Sequence, residues 1–275
     1  MNDGKPQERP KEPDFFTKHP FCCFCGGTTR AEEQDHVPGR AFFRDRIWPD
    51  GFVFPACSKC NRATANDETI AAWLARIMPE AENLKTYEEF KKKTEAHFRY
   101  SPGLMESLNS KSTHRQRRNA RKFLKLPPDF PLLEVPVFSV EDDRVQDALV
   151  NVGRKLSLAL YYKHIGLPLP REGGVGVRWW SNYQIDSGEI PREMADIWTI
   201  AGTVMRGKTD LRDQFFYRYG LGDAGERKMM SFLALFHESY GITGFMASKI
   251  EMLRPQSSGD KMKLLAPYDW SGRTA

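Results

Sequence analysis

Four cysteines set the strongest constraint on this chain. Cys22 and Cys25, then Cys57 and Cys60, form two CxxC pairs separated by 31 residues. Each CxxC knuckle can turn two thiolates toward one point, and two knuckles complete a tetrahedral four-sulfur shell with no open position. A closed shell of this kind suits structural zinc, which contributes to folding rather than to catalysis. The gap is longer than in the simplest zinc ribbons, so an independent element must lie between the knuckles. Cys23 stands outside the pattern and reads as a buried bystander thiol. All five cysteines fall between Cys22 and Cys60 of a 275-residue chain, unlike a disulfide framework.

No apolar run approaches the roughly 20 residues needed to span a bilayer. The N-terminal stretch is polar, holds three prolines in its first thirteen residues and lacks the apolar centre of a signal peptide, so a cytoplasmic location is expected. The net charge of +5 is unevenly placed. Residues 1–70 carry 10 Lys/Arg against 11 Asp/Glu, residues 71–130 carry 13 against 7, and residues 131–275 balance at 18 each. The middle segment therefore carries the excess, as a footprint for a polyanion or as a solvated helix face.

The sequence divides into a flexible tail (1–20), a motif-bearing segment (21–77), a helical basic connector (78–130) and a C-terminal α+β domain (131–275) that sets target choice or assembly. In the second segment, extended pieces are expected on both sides of the turn signal Pro49-Asp50-Gly51, and a helix is expected to start near Asn61. Ile70, Trp73, Leu74 and Ile77 recur at helical spacing. Leu126–Pro131 reads as a stiff linker. Beyond it, Ser139 is placed to cap a long helix whose stripe is Val145, Leu149, Val152, Leu156, Ala159 and Leu160. The aromatic-rich pieces "GVGVRWW", "DQFFYRYG" and "MMSFLALFHESYG" read as strands, and their aromatics as core. His164 and His237 lack partners at ligand spacing and read as structural.

An Asp-His pair, Asp35-His36, lies between the knuckles in "EEQDHVPGRAFF", and Asn61 follows the last knuckle cysteine directly. Together with the four cysteines, this order and spacing resemble the zinc-bound form of the HNH endonuclease family over about residues 21–68. The resemblance implies a ββα-metal fold in which a hairpin and a helix wrap one catalytic divalent ion. It implies His36 as the general base that takes a proton from the attacking water, a task that suits a neutral imidazole. It implies Asp35 and Asn61 as ligands of the catalytic ion, with oxygen donors that suit Mg²⁺ or Mn²⁺. The chain departs from the family pattern at Phe52, where an asparagine usually orients the histidine. It departs again at Ala65, one turn after Asn61, where a further contact is common; Asn66 beside it is a further candidate.

Arg40, Arg44, Lys59 and Arg62 are candidate phosphate contacts. "HRQRRNARKFLK" (His114–Lys125) adds a helical cationic stripe of Arg117, Arg121 and Lys125, widened by Arg118 and Lys122, as a candidate nucleic-acid surface. The expected function is therefore a metal-dependent HNH-type endonuclease that hydrolyses phosphodiester bonds in DNA, with double-stranded DNA the first expectation. The alternative is a non-catalytic zinc-stabilised module that binds nucleic acid or protein. In a third reading, the C-terminal half is a sensor that regulates the nuclease.

Overall fold

The structure, a computed structural model, describes residues 15–80, 102–109, 113–123, 125–135, 140–189, 200–225, 227–253, 262–268 and 270. It is a mixed helix-and-sheet protein. A short helix, α1 (Phe15–Lys18), precedes the first knuckle, and His19 Nδ1 lies 2.8 Å from the Tyr162 hydroxyl. This end of the expected tail is therefore attached; residues 1–14 lie outside the described residues.

Between the knuckles, β1 (Glu33–His36) pairs antiparallel with β2 (Val53–Ala56), with Asp35 opposite Phe54 and His36 opposite Val53. The second knuckle leads directly into α2 (Ser58–Ala63) and α3 (Ala65–Glu80). Of the two extended pieces expected around Pro49-Asp50-Gly51, only β2 forms. The residues before the turn instead make tight 3₁₀ turns at 40–42 and 44–46, with Asp45 and Arg46 at positive φ (53° and 56°). That left-handed backbone breaks any strand there. Ile70, Trp73 and Leu74 are buried on α3 as their spacing requires.

Two described helices occupy the middle segment, α4 (Leu104–Asn109) and α5 (His114–Phe123). Residues 81–101 lie outside the described residues.

The long helix is α6 (Asp143–Ile165). Its N-cap is Asp142, whose side chain accepts from the Arg144 amide; the expected cap Ser139 lies outside the described residues. At its C-terminal end Gly166 takes the left-handed conformation that a helix stop favours. The remaining elements are β3 (Gly174–Ser181), α7 (Asn182–Asp186), β4 (Ile200–Ala201), the hairpin of β5 (Met205–Arg206) and β6 (Thr209–Asp210), β7 (Phe215–Ala224), β8 (Arg227–Phe236), β9 (Tyr240–Ala247) and β10 (Lys263–Leu265). Six of the strands form an antiparallel sheet in the order β10-β3-β9-β8-β7-β4. Alternation shows on β8, where Phe232, Ala234 and Phe236 are buried while Leu233 and Leu235 between them are half-buried.

Helix α6 packs against α3 and the first knuckle on one side and against β3 and β9 on the other. Gly153 allows the close approach to the sheet, because a Cβ there would lie 2.5 Å from Val177 Cγ1. The stripe read from sequence is buried, and so are Val150, Arg154, Lys155, Leu158 and Tyr161 around the rest of the helix. Burial all round marks a helix that is central rather than superficial. One contiguous cluster of buried residues runs from Cys22 to Met246.

Candidate functional site

The four knuckle cysteines converge, with every Sγ within 4.8 Å of the others. Zinc–sulfur bonds of about 2.3 Å place tetrahedral sulfurs about 3.8 Å apart, so the cluster fits a metal ion such as zinc. Local sequence builds this geometry. Gly26 and Gly27 adopt left-handed φ values of 70° and 73°, turning the chain back after Cys25. The Phe24 amide donates to Cys22 Sγ at 3.3 Å. A hydrogen bond from Cys60 leads the forces that pull the Cys22 thiol down to about 5, against its burial. Cys23 is fully buried and lies outside the cluster, and burial pushes its thiol well up. From the C-terminal end, Trp270 Nε1 donates to the Phe24 carbonyl at 3.2 Å, and Tyr268 packs against Gly26.

The strand between the knuckles presents two different faces. His36 is half-buried, with its ring edge-on to Trp48 at 4.5 Å between centroids. Its Nε2 lies 3.1 Å from Arg40 Nη2. A guanidinium only donates, so Nε2 accepts and the ring proton of the neutral form belongs on Nδ1. Burial first, and then the charges of Arg40, Arg206 and Arg46, lower the His36 pKa to about 4. The ring is therefore neutral at pH 7. Phe52, at the position where the family has an asparagine, is buried among Phe54, Phe215 and Tyr217 and offers His36 no hydrogen bond. Trp48 and Arg40 hold the imidazole instead.

Asp35 points the other way. It is 5% exposed, and its Oδ2 lies 2.6 Å from Nζ of Lys155, which is itself 1% exposed on α6. The same ammonium binds Glu68 Oε1 at 2.6 Å, and Glu68 in turn accepts from Thr64 Oγ1 at 2.7 Å. Nearby, Asn151 Nδ2 donates to Asp67 at 2.8 Å. Burial pushes the Asp35 carboxyl up to about 6, against the pull of Lys155. Burial alone would lower Lys155, but Asp35 and Glu68 outweigh it and raise its pKa. A small cavity lined by Pro38, Gly39, Phe42, Glu68, Lys155 and Phe236, among others, lies beside this network.

Asn61 is half-buried on α2, and its Nδ2 donates to Glu33 Oε2 at 2.5 Å. Asp35 and Asn61 thus have separate protein partners. As arranged, the Asp35 carboxylate is paired with the Lys155 ammonium. Ala65 and Asn66 are exposed.

The candidate phosphate contacts fall into three groups. Arg40 stacks over Trp48 at 4.1 Å beside His36. Arg44 pairs with Asp213 at 3.1 Å, and Arg62 approaches Glu33 at 3.9 Å; Lys59 is exposed. On α5, Arg117 donates to the carbonyls of Leu132, Leu133 and Val135, and Arg121 to those of Pro128 and Phe130. That half of the stripe grips the linker, while Arg118, Lys122 and, just past the helix, Lys125 remain exposed with Arg115.

Sequence reading missed Lys155, Glu68, Trp48, Arg46 and Arg206. Lys155 carried one usable signal, a lysine in the middle of an apolar helical stretch, which must find an acid if the helix is central. No family model, curated protein or solved structure matches the chain.

Proposed function

We propose that the chain is an HNH-type endonuclease that hydrolyses phosphodiester bonds, with His36 as its general base. The observation that carries this reading is His36 itself. It is a neutral imidazole on the first strand of a ββα unit closed by four cysteines, and arginines surround it. A neutral base takes a proton from water without first losing one of its own, and the nearby guanidinium groups suit the charge of a phosphodiester. The family's catalytic ion supplies charge stabilisation on the leaving oxygen. Asp35 would serve such an ion only by giving up Lys155, so we assign the ion to no residue and leave the need for Mg²⁺ or Mn²⁺ to assay.

One observation favours a second reading, a non-catalytic zinc-stabilised module that binds nucleic acid: the Lys155–Asp35 pair occupies the carboxylate that the catalytic role would use. One experiment separates the two. Supercoiled plasmid is incubated with the wild type or with His36→Ala, each with Mg²⁺, Mn²⁺, or no added divalent ion. Cleavage by the wild type that the variant loses supports the nuclease. Plasmid retention without cleavage under every condition leaves the binding module.

A further inference from the structure

Trp48 links two parts of the chain that are far apart in sequence. Arg40 lies over its ring at 4.1 Å and Arg206, from the β5–β6 hairpin, at 4.4 Å. The hairpin is fastened here. Arg206 Nη1 pairs with Asp50 Oδ1 at 2.8 Å, the Gly207 amide donates to Asp50 Oδ2 at 2.7 Å, and the Asp50 amide donates to Met205 O at 2.6 Å. His36 completes the group, edge-on to Trp48 and within hydrogen-bond distance of Arg40. Arg46 is exposed on the adjoining left-handed turn, close enough for its charge to act on both His36 and Arg40. Among the described residues, neither Arg40 nor Arg46 has a carboxylate within ion-pair distance, and Asp50 is the acid that Arg206 binds. Holding two guanidinium groups over one indole, with the Arg46 charge beside them, carries a repulsive cost that a bound anion removes.

We infer that Arg40 and Arg206, which lie over Trp48, form with the exposed Arg46 beside them a clamp for one backbone phosphate of a nucleic acid, and that this phosphate uncaps His36. The inference rests on the reading of His36 as the base, but the clamp itself needs only binding. Guanidinium groups match phosphate oxygens through paired N–H donors, and an indole face carries the guanidinium planes without competing for those donors. In the free protein Arg40 donates to His36 Nε2, the atom that must accept the water proton. A phosphate that draws Arg40 away leaves that lone pair free. The β5–β6 hairpin is then a part of the binding site contributed by the C-terminal half, through Arg206.

The test is fluorescence anisotropy of a labelled DNA duplex with the full chain, in buffer without added divalent ions and across a salt series. The proteins are the wild type, Arg46→Ala, Arg206→Ala and Arg206→Lys. Each alanine variant should lower the slope of log affinity against log salt by about 0.9, the value of one lost phosphate contact. Together they should weaken binding at low salt by about tenfold. Arg206→Lys keeps a charge that can reach Asp50 and should keep the slope, which separates loss of charge from loss of the hairpin. Arg46 is exposed and has no carboxylate partner among the described residues, so Arg46→Ala remains informative even if Arg206→Ala unfolds. Unchanged slopes in both alanine variants overturn the clamp, whether or not the wild type cleaves plasmid. Altered slopes without plasmid cleavage keep the clamp and reject the nuclease. Displacement of the duplex by polyglutamate as readily as by unlabelled DNA of equal charge overturns the assignment to nucleic acid.

Discussion

Asp35 and His36 are consecutive residues on one short strand, yet their surroundings are opposed. The pleat sends one side chain inward to a lysine 1% exposed and the other outward to a group of arginines. Inside, the two carboxylates of Asp35 and Glu68 share the one ammonium of Lys155. Outside, guanidinium groups gather around an indole and an imidazole with one acid among them. The inner cluster is built to stay closed, since removing Lys155 leaves the buried Asp35 carboxylate uncompensated. The outer cluster has spare donors and one face toward solvent. The buried ion pairs and the exposed cationic group thus lie on opposite sides of the same four residues.

The comparison can be broken from its largest effect downward. Stripping metal from the four-thiol centre should dissolve both clusters at once, because the second knuckle holds β2 against β1. Structural zinc binding free energies of roughly 10–16 kcal/mol make this the dominant perturbation. Elemental analysis should give one zinc per chain, and circular dichroism should report loss of structure on chelation. A chain that purifies folded without metal would refute it.

Next comes Lys155→Met, which leaves the buried Asp35 and the half-buried Glu68 without a cation. Denaturant titration should show a loss of about 3–5 kcal/mol, with part of it recovered when Asp35→Asn is added. The outer counterpart, Arg40→Ala, should cost about 1 kcal/mol or less, since one exposed cation–π contact is lost. Equal costs for Lys155→Met and Arg40→Ala would erase the distinction between closed and open clusters.

A smaller effect is expected from acid. The His36 pKa lies below that of an unfolded histidine, so the unfolded chain binds its proton first as pH falls. The stability contribution is complete above about pH 6.5 and is lost as pH drops toward about 4. NMR titration of the His36 ring should place its midpoint near 4, and Arg40→Ala should move it upward. A midpoint at the ordinary histidine value would remove the cationic enclosure from the argument.

The smallest contrast lies on α5. Arg117→Ala should lower stability by about 1 kcal/mol, because its guanidinium serves the carbonyls of Leu132, Leu133 and Val135 just past the linker. Arg118→Ala should leave stability unchanged and reduce only the salt dependence of DNA binding. A reversal of the two outcomes would show that the stripe faces its ligand with its other edge.

Much of the fold could be read from local signals. The knuckle cysteines needed only spacing, and the aromatic stretches that form β3, β7 and β8 needed only alternation. The helix from 143 was legible in its stripe, because period and burial coincide. What escaped was pairing over long distance. Nothing near Asp35 in the chain announces a lysine 120 positions later, and nothing near His36 announces Arg206. The expected strand before Pro49 failed for another reason: two left-handed residues in succession, Asp45 and Arg46, are not the glycines that usually mark such a turn. Arg117 and Arg121 illustrate the limit of charge patterns, since a cationic stripe does not say whether its partner is a phosphate or a nearby carbonyl.

The placement of Lys155 on α6 has a practical consequence for anyone dissecting this chain. An expression fragment that stops after α3 would contain all four knuckle cysteines and the Asp-His pair, so it would look self-sufficient on paper. It would also carry Asp35 and Glu68 without their ammonium and an α3 face without its cover. Such a fragment is better produced together with residues 140–270, as two halves that reassociate, than as a minimal catalytic piece.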